Sequence, residues 1–348
     1  MTAAVLAISL AACAGSAEPA ATGSAEGGAS ATETIRLANF GTFPNAMPLM
    51  WAIEGGYFDK QNVKVELLPA MLNATDMVNA VMNDEADLAM TAPSAIAFAR
   101  SAGRPAVNVG TVMMGYSLEI GFTPETVAKL EAKGITKDSP LKERVEALKG
   151  MTLGSFTAGS STDAAFRYLV KENGVDPDHD MTLQPIADQA AQVAALRAKR
   201  IDGLVATAPG NVTAAAANGT AITWDFWTGD KLLPKVGMII FAGSEESIKK
   251  KPEAIQRFLE AVSEARADIV AGLSAEDSAK LKKVMGADMP DGVWQTTLDS
   301  LSKLMGEPFT MTDASWESTM TLVNLQSDTP IKVPASEAIN NTFAELIK

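Results

Sequence analysis

The residues of this chain that could bind a small molecule are hydroxyl and amide side chains in short loops ahead of helices. One such loop, residues 157–162, reads Thr-Ala-Gly-Ser-Ser-Thr and leads into a helical run. The first N–H groups of a helix have no partner within it, so together with the hydroxyls they can bind an anion or a polar oxygen. A plain N-cap by Ser161 or Thr162 is the alternative interpretation. The candidate ligand-binding residues here are Thr157, Ser160, Ser161 and Thr162.

A second polar loop begins at Asn39, directly after a short apolar run. Asn39, Thr42 and Asn45 could hydrogen-bond a solute. Phe40 or Phe43 could lie against that solute, because small-molecule pockets are mostly apolar with a few placed polar groups. The alternative is that Phe43 belongs to the core and that Asn45 caps the following helix.

The chain contains the same sequence pattern twice, in residues 78–103 and again in residues 193–219. Each copy has a helical apolar run, an Asp (Asp87 or Asp202), a short apolar strand, Thr-Ala-Pro, and an Ala-rich helix that ends at Gly. Proline suits the first turn of a helix, where its missing N–H costs nothing. Both copies therefore predict a polar loop at the carboxyl end of a strand, where open α/β sheets bind ligands. Chance similarity between α/β segments is the alternative.

The two copies supply further candidates, Thr91, Ser94 and Thr207. Helix capping by Thr91 or Ser94 is the alternative role. Asp87 and Asp202 are predicted to end a helix and fix the turn rather than to touch a ligand. Two such units in one chain predict two lobes that face one cleft.

Four more residues lie near predicted strand ends or crossovers. Asn73 and Tyr116 fall near the predicted cleft edge and the first crossover. Trp224 could stack on a flat ligand, although burial between the lobes fits its position equally well. Asp188 would pair with an amine or a ring N–H, or would simply begin a solvated helix.

The composition excludes several kinds of chemistry. One Cys among 348 residues leaves no disulfide within the chain and no cysteine-based zinc site. The single His, His179, lies in Asp-Pro-Asp-His-Asp, which is typical of an exposed turn. A net charge of −13 argues against nucleic acid as a partner. No Arg occurs in the loops above, so a guanidinium fork that holds a sulfonate or carboxylate is not expected. We predict no cofactor, no metal and no catalytic residue.

The N-terminus resembles a bacterial lipoprotein signal. Residues 1–12 are apolar and small and lead into Leu-Ala-Ala-Cys, a sequence like the lipobox in which the Cys becomes lipidated. Residues 14–33 lack large apolar side chains and are typical of a flexible tether. Residues 1–12 carry no Lys or Arg, although signal peptides begin with positive charge, and a start upstream of Met1 would supply it. We predict Cys13 as the lipidation site; a disordered tail with an incidental cysteine is the alternative.

Strands alternate with helices along the remaining chain, which predicts mainly parallel sheets flanked by helices. A chain of 348 residues fits two domains better than one. We assign residues 34–117 to the first lobe and 118–235 to the second, with a charged, helical insertion of no evident chemistry at 125–150. Residues 236–348 form a return crossover and C-terminal helices that complete the first lobe. No apolar run after the leader approaches the length of a membrane span.

Three further short sequence motifs accompany the two duplicated units. Residues 52–58 read AIEGGYF, residues 148–150 read LKG, and residues 251–259 read KPEAIQRFL. Together with the two Asp/Thr-Ala-Pro units at 87–93 and 202–209, they resemble the solute-binding proteins of ABC importers in the nitrate, sulfonate and taurine group, which includes carriers of thiamine pyrimidine precursors. The resemblance extends over residues 34–348.

The resemblance implies a two-lobed periplasmic-binding-protein fold of type II, an α/β fold in which each lobe is a mainly parallel sheet flanked by helices. Two crossover segments join the lobes, and a small solute closes between them unaltered. The expected solute is sulfonate-, nitrate- or taurine-like, or a planar heterocycle. The expected partners are an ABC permease and ATPase, with the protein a monomer, extracytoplasmic, and held at the bacterial membrane through its lipid anchor.

Two alternatives stay open on the same scaffold. The first is an enzyme similar to pyrimidine-precursor synthases or thiaminases, which would need a reactive Cys or a cluster of His residues. The only Cys lies in the leader and the only His in a predicted turn. The second is a surface lipoprotein that senses a ligand without transport.

Overall fold

The structure is a computed structural model of the chain. It describes residues 32–71, 73–115, 117–156, 160–186, 188–207, 210–228, 236–327 and 329–347. These described residues form one compact unit. Thr157 and Tyr116, two of the predicted ligand-binding residues, and Cys13, the predicted lipidation site, lie outside the described residues.

The described strands form two sheets with the same order of equivalent strands. The first sheet has the order β2-β1-β3-β10-β4 and the second β7-β6-β8-β5-β9. In each sheet one strand, β10 or β5, runs antiparallel to its neighbours, whereas the others share a direction. The predicted α/β fold with two mainly parallel, helix-flanked sheets is thereby confirmed. The strands are β1 Glu33–Ala38, β2 Val63–Leu67, β3 Leu88–Thr91, β4 Ala106–Met114, β5 Ser117–Phe122, β6 Thr152–Ser155, β7 Thr182–Pro185, β8 Gly203–Thr207, β9 Ile222–Thr228 and β10 Gly237–Ser244.

Helices connect the strands and cover both sheets. The helices are α1 Met47–Glu54, α2 Tyr57–Lys60, α3 Ala74–Met82, α4 Pro93–Ser101, α5 Pro124–Glu131, α6 Leu141–Glu146, α7 Ser161–Glu172, α8 Gln189–Arg197, α9 Asn211–Ala217, α10 Glu245–Lys250, α11 Pro252–Ala271, α12 Ala275–Met285, α13 Asp291–Met305, α14 Asp313–Asn324 and α15 Ala335–Ala338. Short 3-10 helices lie at Pro44–Ala46 and Ala344–Leu346. No helix among the described residues has the length and apolarity that crossing a membrane requires.

The duplicated unit has the same hydrogen bonds in both lobes. Asp87 donates its backbone N–H to the Arg36 carbonyl at 2.8 Å, and its carboxylate accepts the Arg36 N–H at 2.8 Å. Asp202 makes the same pair of bonds to Thr152, at 2.7 and 2.8 Å. Each Asp therefore ties the start of β3 or β8 to the neighbouring strand, as its predicted turn-fixing role requires. Position 36 of β1 is in this way equivalent to position 152 of β6.

In the first lobe, the Asp of the duplicated unit also forms ion pairs. The buried carboxylate of Asp87 forms ion pairs with Arg36 and Lys251, each at 2.9 Å. Burial alone would raise the pKa of Asp87, but the hydrogen bonds from Arg36 and Lys251 outweigh it and hold that pKa below its usual range. The Lys of the KPEAIQRFL motif thus fastens α11 to the first sheet.

The alternation of side chains along each strand builds a core on both faces of each sheet. On β10, for example, Phe241 packs in one cluster of the first lobe and Ile240 in the other. On β8, Val205 and Leu204 likewise pack in separate clusters of the second lobe. The helical insertion at 125–150 contributes to one of these, with Val127, Leu130, Val145 and Leu148 buried in it.

Helix α14, one of the C-terminal helices, packs against the cores of both lobes. Trp316 and Val323 of this helix pack in a first-lobe cluster, whereas Leu322 packs in a second-lobe cluster. The indole N–H of Trp316 also donates to the Val333 carbonyl at 2.7 Å. This helix therefore contacts both lobes.

Candidate functional site

The candidate site consists of the loops that follow β1 and β3 in the first lobe and β6 and β8 in the second. These loops stand at the carboxyl ends of strands that share a direction, which is where α/β sheets of this kind bind ligands. None of them contains Arg or Lys. In the described part of the chain, no group of three or more His, Cys, Asp or Glu side chains is arranged to hold a metal ion.

Asn39 organises the loop after β1 from within. Its side-chain amide donates to the Leu68 carbonyl at 3.0 Å, and its side-chain oxygen accepts the Gly41 N–H at 2.7 Å. Asn39 is 1% exposed. Gly41 has φ +74, and a Cβ built on it would lie 2.9 Å from the Ala70 side chain, so glycine is required there. We assign Asn39 to shaping this loop, since its polar atoms are already paired.

Thr91 and Asn73 are also engaged within the protein. Thr91 is fully buried, and its hydroxyl donates to the Ala74 carbonyl at 3.1 Å. Asn73 is exposed, and its side-chain oxygen caps α3 by accepting the Thr75 N–H at 2.9 Å. The Thr91 hydroxyl therefore does not cap α4, contrary to the alternative raised from the sequence. Ser94, on the first turn of α4, is half-buried.

The remaining residues of the loop after β1 differ in exposure. Thr42 is exposed, and Phe43 is 38% exposed. Phe40 is half-buried and packs against both first-lobe clusters. Asn45 is half-buried inside the short 3-10 helix, and Ala46, which has no capping side chain, precedes α1. The alternative roles of Phe43 as core and Asn45 as cap are therefore wrong.

The second lobe brings two predicted residues into contact. The hydroxyls of Thr162, in the first turn of α7, and Thr207, at the end of β8, are 2.9 Å apart. Ser160 is the N-cap of α7, because its hydroxyl accepts the Asp163 N–H at 3.2 Å. Ser161 follows, half-buried, so neither it nor Thr162 is the cap. Three polar residues from two elements thus meet at the carboxyl edge of this sheet.

Asp188 caps a helix and Trp224 belongs to the core. The exposed Asp188 caps α8 by accepting the Ala191 N–H at 2.7 Å, which matches the solvated helix start considered from the sequence. Trp224 is 2% exposed and packs edge-on against Phe122, with ring centroids 5.3 Å apart. The prediction that Trp224 stacks on a ligand is not supported, because its ring belongs to the second-lobe core.

Two residues at this edge escaped prediction. Ser155, the last residue of β6, is 1% exposed, and its hydroxyl has no hydrogen-bond partner among the described residues. Glu119 of β5 is half-buried and lies opposite Ala206 and Asp225 in the ladder. Its burial, and to a lesser extent the charge of Asp225, raise the pKa of Glu119 to about 7. A Glu within the apolar strand SLEIGF was the sequence signal for this second residue.

Two five-stranded mixed sheets of matching order within the described residues, with polar loops at their carboxyl edges, define the class of two-lobed periplasmic-binding-protein folds. Solved structures agree. The ligand binding component of an ABC-type import system from Staphylococcus aureus, solved with zinc bound, superposes with a TM-score of 0.68 at 13% identity, covering 91% of this chain and 99% of that one. The periplasmic aliphatic sulphonate binding protein SsuA of Escherichia coli gives 0.65 at 19% identity, over 84% and 91% of the two chains.

The periplasmic nitrate-binding protein NrtA of Synechocystis PCC 6803 gives a TM-score of 0.61 at 15% identity, covering 91% of this chain and 88% of that one. A model of the family described as NMT1/THI5 like matches residues 43–272. The chain therefore belongs to the NMT1/THI5-like family, and the resemblance noted from its sequence motifs is confirmed. No curated protein matches the chain in sequence.

Proposed function

We propose that the protein is an extracytoplasmic solute-binding protein that delivers a small solute to an ABC importer by closing two lobes around it. The single observation that carries the proposal is the repeated architecture. Two sheets of equivalent strand order each present a polar loop at the carboxyl edge, with the same Asp-to-strand hydrogen bonds beneath. The similar structures are a component of an import system, a sulphonate-binding protein and a nitrate-binding protein, and these roles support the same conclusion.

In this proposal the two lobes close on the solute from opposite sides. A solute that bridges both lobes favours the closed state only by its higher affinity for that state. Helix α14, which packs in clusters of both lobes, limits how far they separate. The permease would then recognise the closed arrangement.

We propose further that the bound solute is not altered. His179, the only histidine, is 83% exposed by side chain, with its Nδ1 2.9 Å from Asp176, in a turn of the second lobe. The hydroxyls of Thr162 and Thr207 form a hydrogen bond with each other, and no basic side chain occurs in the site loops. A nucleophile with an adjacent base, which covalent catalysis needs, is not formed by these residues.

A thermal-shift screen tests the binding role. The purified chain is heated with nitrate, taurine, alkanesulfonates, pyrimidines and flavins, each in excess. A ligand at a hundredfold excess over its dissociation constant adds about 2.7 kcal/mol to the free energy of unfolding, and the melting temperature should rise accordingly. No shift with any compound up to millimolar concentration contradicts the proposal.

We also propose membrane attachment through a lipid on Cys13. Several acyl chains, at about 0.8 kcal/mol per buried CH₂ group, anchor a protein firmly. Cys13→Ala should move the protein from the membrane to the soluble fraction and leave solute binding unchanged, with Cys13→Ser as the matched variant. Membrane retention of both variants contradicts the anchor but not the binding role.

A further inference from the structure

Two C-terminal helices of the first lobe contact the second lobe, and they do so on opposite faces. Helix α13 packs in one first-lobe cluster through Trp294 and Leu298, and it also contacts α9. Helix α14 packs in the other first-lobe cluster through Trp316, and it also contacts α7. The buried apolar residues of α9 and those of α7 belong to different clusters of the second lobe. Each face of the second lobe is therefore in contact with a helix that is anchored in the first.

The two second-lobe helices held in this way are the ones that begin at the candidate site. Helix α7 begins at Ser161, directly after the loop that follows β6, and α9 begins at Asn211, after the loop that follows β8. A first-lobe helix that moves away from α7 or α9 therefore also moves away from these loops. The two helix contacts thus bear on whether the site is open or closed.

Helix α9 has one flank of small side chains that its own lobe does not cover. With about 3.6 residues per turn, Val212 and Ala215 share the side that packs in the second-lobe core. Ala215 and Asn218 border a groove shared with α8. Thr213 and Ala216 lie on the other side of the helix and are half-buried. The helices with which α9 makes its main contacts are α8 and α13, so α13 is the helix that covers Thr213 and Ala216.

Helix α13 has a matching buried flank. Val293 and Thr297 are 5% and 3% exposed, and the half-buried Ser300 continues the same line one turn later. Val293 packs in none of the four clusters formed by the described residues. The opposite flank, which includes Gln295, borders a groove shared with α12. The line from Val293 to Ser300 is therefore the flank that α13 offers to α9.

Helix α14, by contrast, is part of the core of both lobes. Met320 packs against a first-lobe cluster, whereas Leu322 packs in a second-lobe cluster and Leu325 packs against it. Separating α14 from either lobe would expose these large apolar side chains to water, which is unfavourable. The contact between α9 and α13 joins smaller side chains, among them Ala216 and Ser300, and it is therefore the weaker of the two.

We propose that the contact between α9 and α13 is a latch between the lobes, and that α14 is the pivot about which the lobes part. The inference rests on the proposed two-lobe binding function and adds to it the element that sets how often the lobes are closed. The apparent affinity for a solute is the intrinsic affinity multiplied by the fraction of molecules in the binding-competent state. The latch therefore controls the affinity for the solute although it lies outside the site loops.

A long cationic side chain placed in the latch tests the proposal. The variants are Ala216→Arg on α9 and Ser300→Arg on α13, which enter the same contact from its two sides, so the test stands if one of them does not fold. The matched control is Ala194→Arg, at an exposed position of α8 in the same lobe. Circular dichroism checks that each variant is folded.

The separation of the lobes is measured as the distance between two spin labels by pulsed electron paramagnetic resonance. The labels are attached to Glu66→Cys on β2 and Gln184→Cys on β7, two exposed positions near the carboxyl ends of edge strands, one in each lobe. Cys13→Ala removes the native thiol from every protein compared. Each protein is unfolded, dialysed and refolded before the measurement, which removes any solute that was purified with it.

We expect the parent and the Ala194→Arg control to share one principal label distance. In Ala216→Arg and Ser300→Arg the fraction of molecules with that distance should fall about tenfold in favour of longer distances, because an unpaired charge in a buried contact is strongly disfavoured. An unchanged distance distribution in a folded latch variant, or the same change in the control, would overturn the latch. Because the measurement uses no solute, either of these results leaves the binding function intact, and failure of the thermal-shift screen leaves the latch intact.

Discussion

Glu119 should make the folded protein less stable as the pH rises toward neutrality. Glu119 is half-buried on β5, and the partial desolvation of its carboxylate raises its pKa in the folded state from 4.5 to about 7. Between these two values the folded state holds a proton that the unfolded chain has released, and stability falls as the pH rises. At about 1.4 kcal/mol per pH unit, the difference corresponds to about 3 kcal/mol. That cost is absent below pH 4.5 and complete above pH 7.

Glu119→Gln removes the titrating proton and keeps the size of the side chain. We expect the variant and the parent to have similar free energies of unfolding near pH 4.5 and the variant to be more stable by about 3 kcal/mol at pH 8. Urea denaturation at half-unit intervals from pH 4.5 to 8 measures the difference. Glu131→Gln, on the exposed part of α5, controls for loss of one negative charge.

The comparison also cancels the contribution of His179. The hydrogen bond and charge of Asp176 raise the pKa of His179, so this residue too favours folding at low pH and loses its effect as the pH rises. The parent and the variant share this contribution of His179 to the pH dependence of stability, so it cancels in their difference. Parallel stability curves for the parent and Glu119→Gln between pH 4.5 and 8 would refute the raised pKa of Glu119.

Two further predictions concern the fold. Asp87→Ala removes the acceptor of a partly buried strand N–H and the ion-pair partner that Arg36 and Lys251 share, and should lower the free energy of unfolding by about 3 kcal/mol. Asp202→Ala, whose exposed carboxylate accepts one strand N–H, should cost about 1 kcal/mol; equal losses in urea denaturation would contradict the difference. Gly110→Ala places a Cβ against the buried ring of Phe309 and should lower the free energy of unfolding by about 1–3 kcal/mol. The control is Gly292→Ala in α13, where the added Cβ meets nothing within 4 Å and the free energy of unfolding should stay the same or rise. A Gly110→Ala protein as stable as its parent would contradict this prediction, because it would show that the ring can shift without cost.

The duplicated Asp/Thr-Ala-Pro unit made the two-lobed fold accessible to sequence reasoning. An Asp before an apolar strand, followed by Pro at the start of a helix, is a local signal, and it predicts where the strand ends and the loop begins. The hydrogen bonds of Asp87 and Asp202 show that this signal was physical rather than coincidental. The same local reasoning placed all candidate loops at carboxyl edges of strands.

The direction in which each side chain points was beyond such reasoning. Neighbouring residues of a strand face opposite sides, so a shift of one position exchanges core for surface. Trp224 lies on the core side of β9, and Asn39 turns inward to hold its own loop, although both lie near strand ends.

Native mass spectrometry of the protein, purified without unfolding from cells that produce it, tests the central claim most directly. A two-lobed protein that holds a solute without altering it should carry one small molecule per chain, noncovalently, and release it intact on denaturation. The released molecule should rebind to fresh protein and be recovered with unchanged mass. A covalent adduct, or conversion of the released molecule on rebinding, would contradict the account. A chain that stays bare even after incubation with the solute panel would contradict it equally.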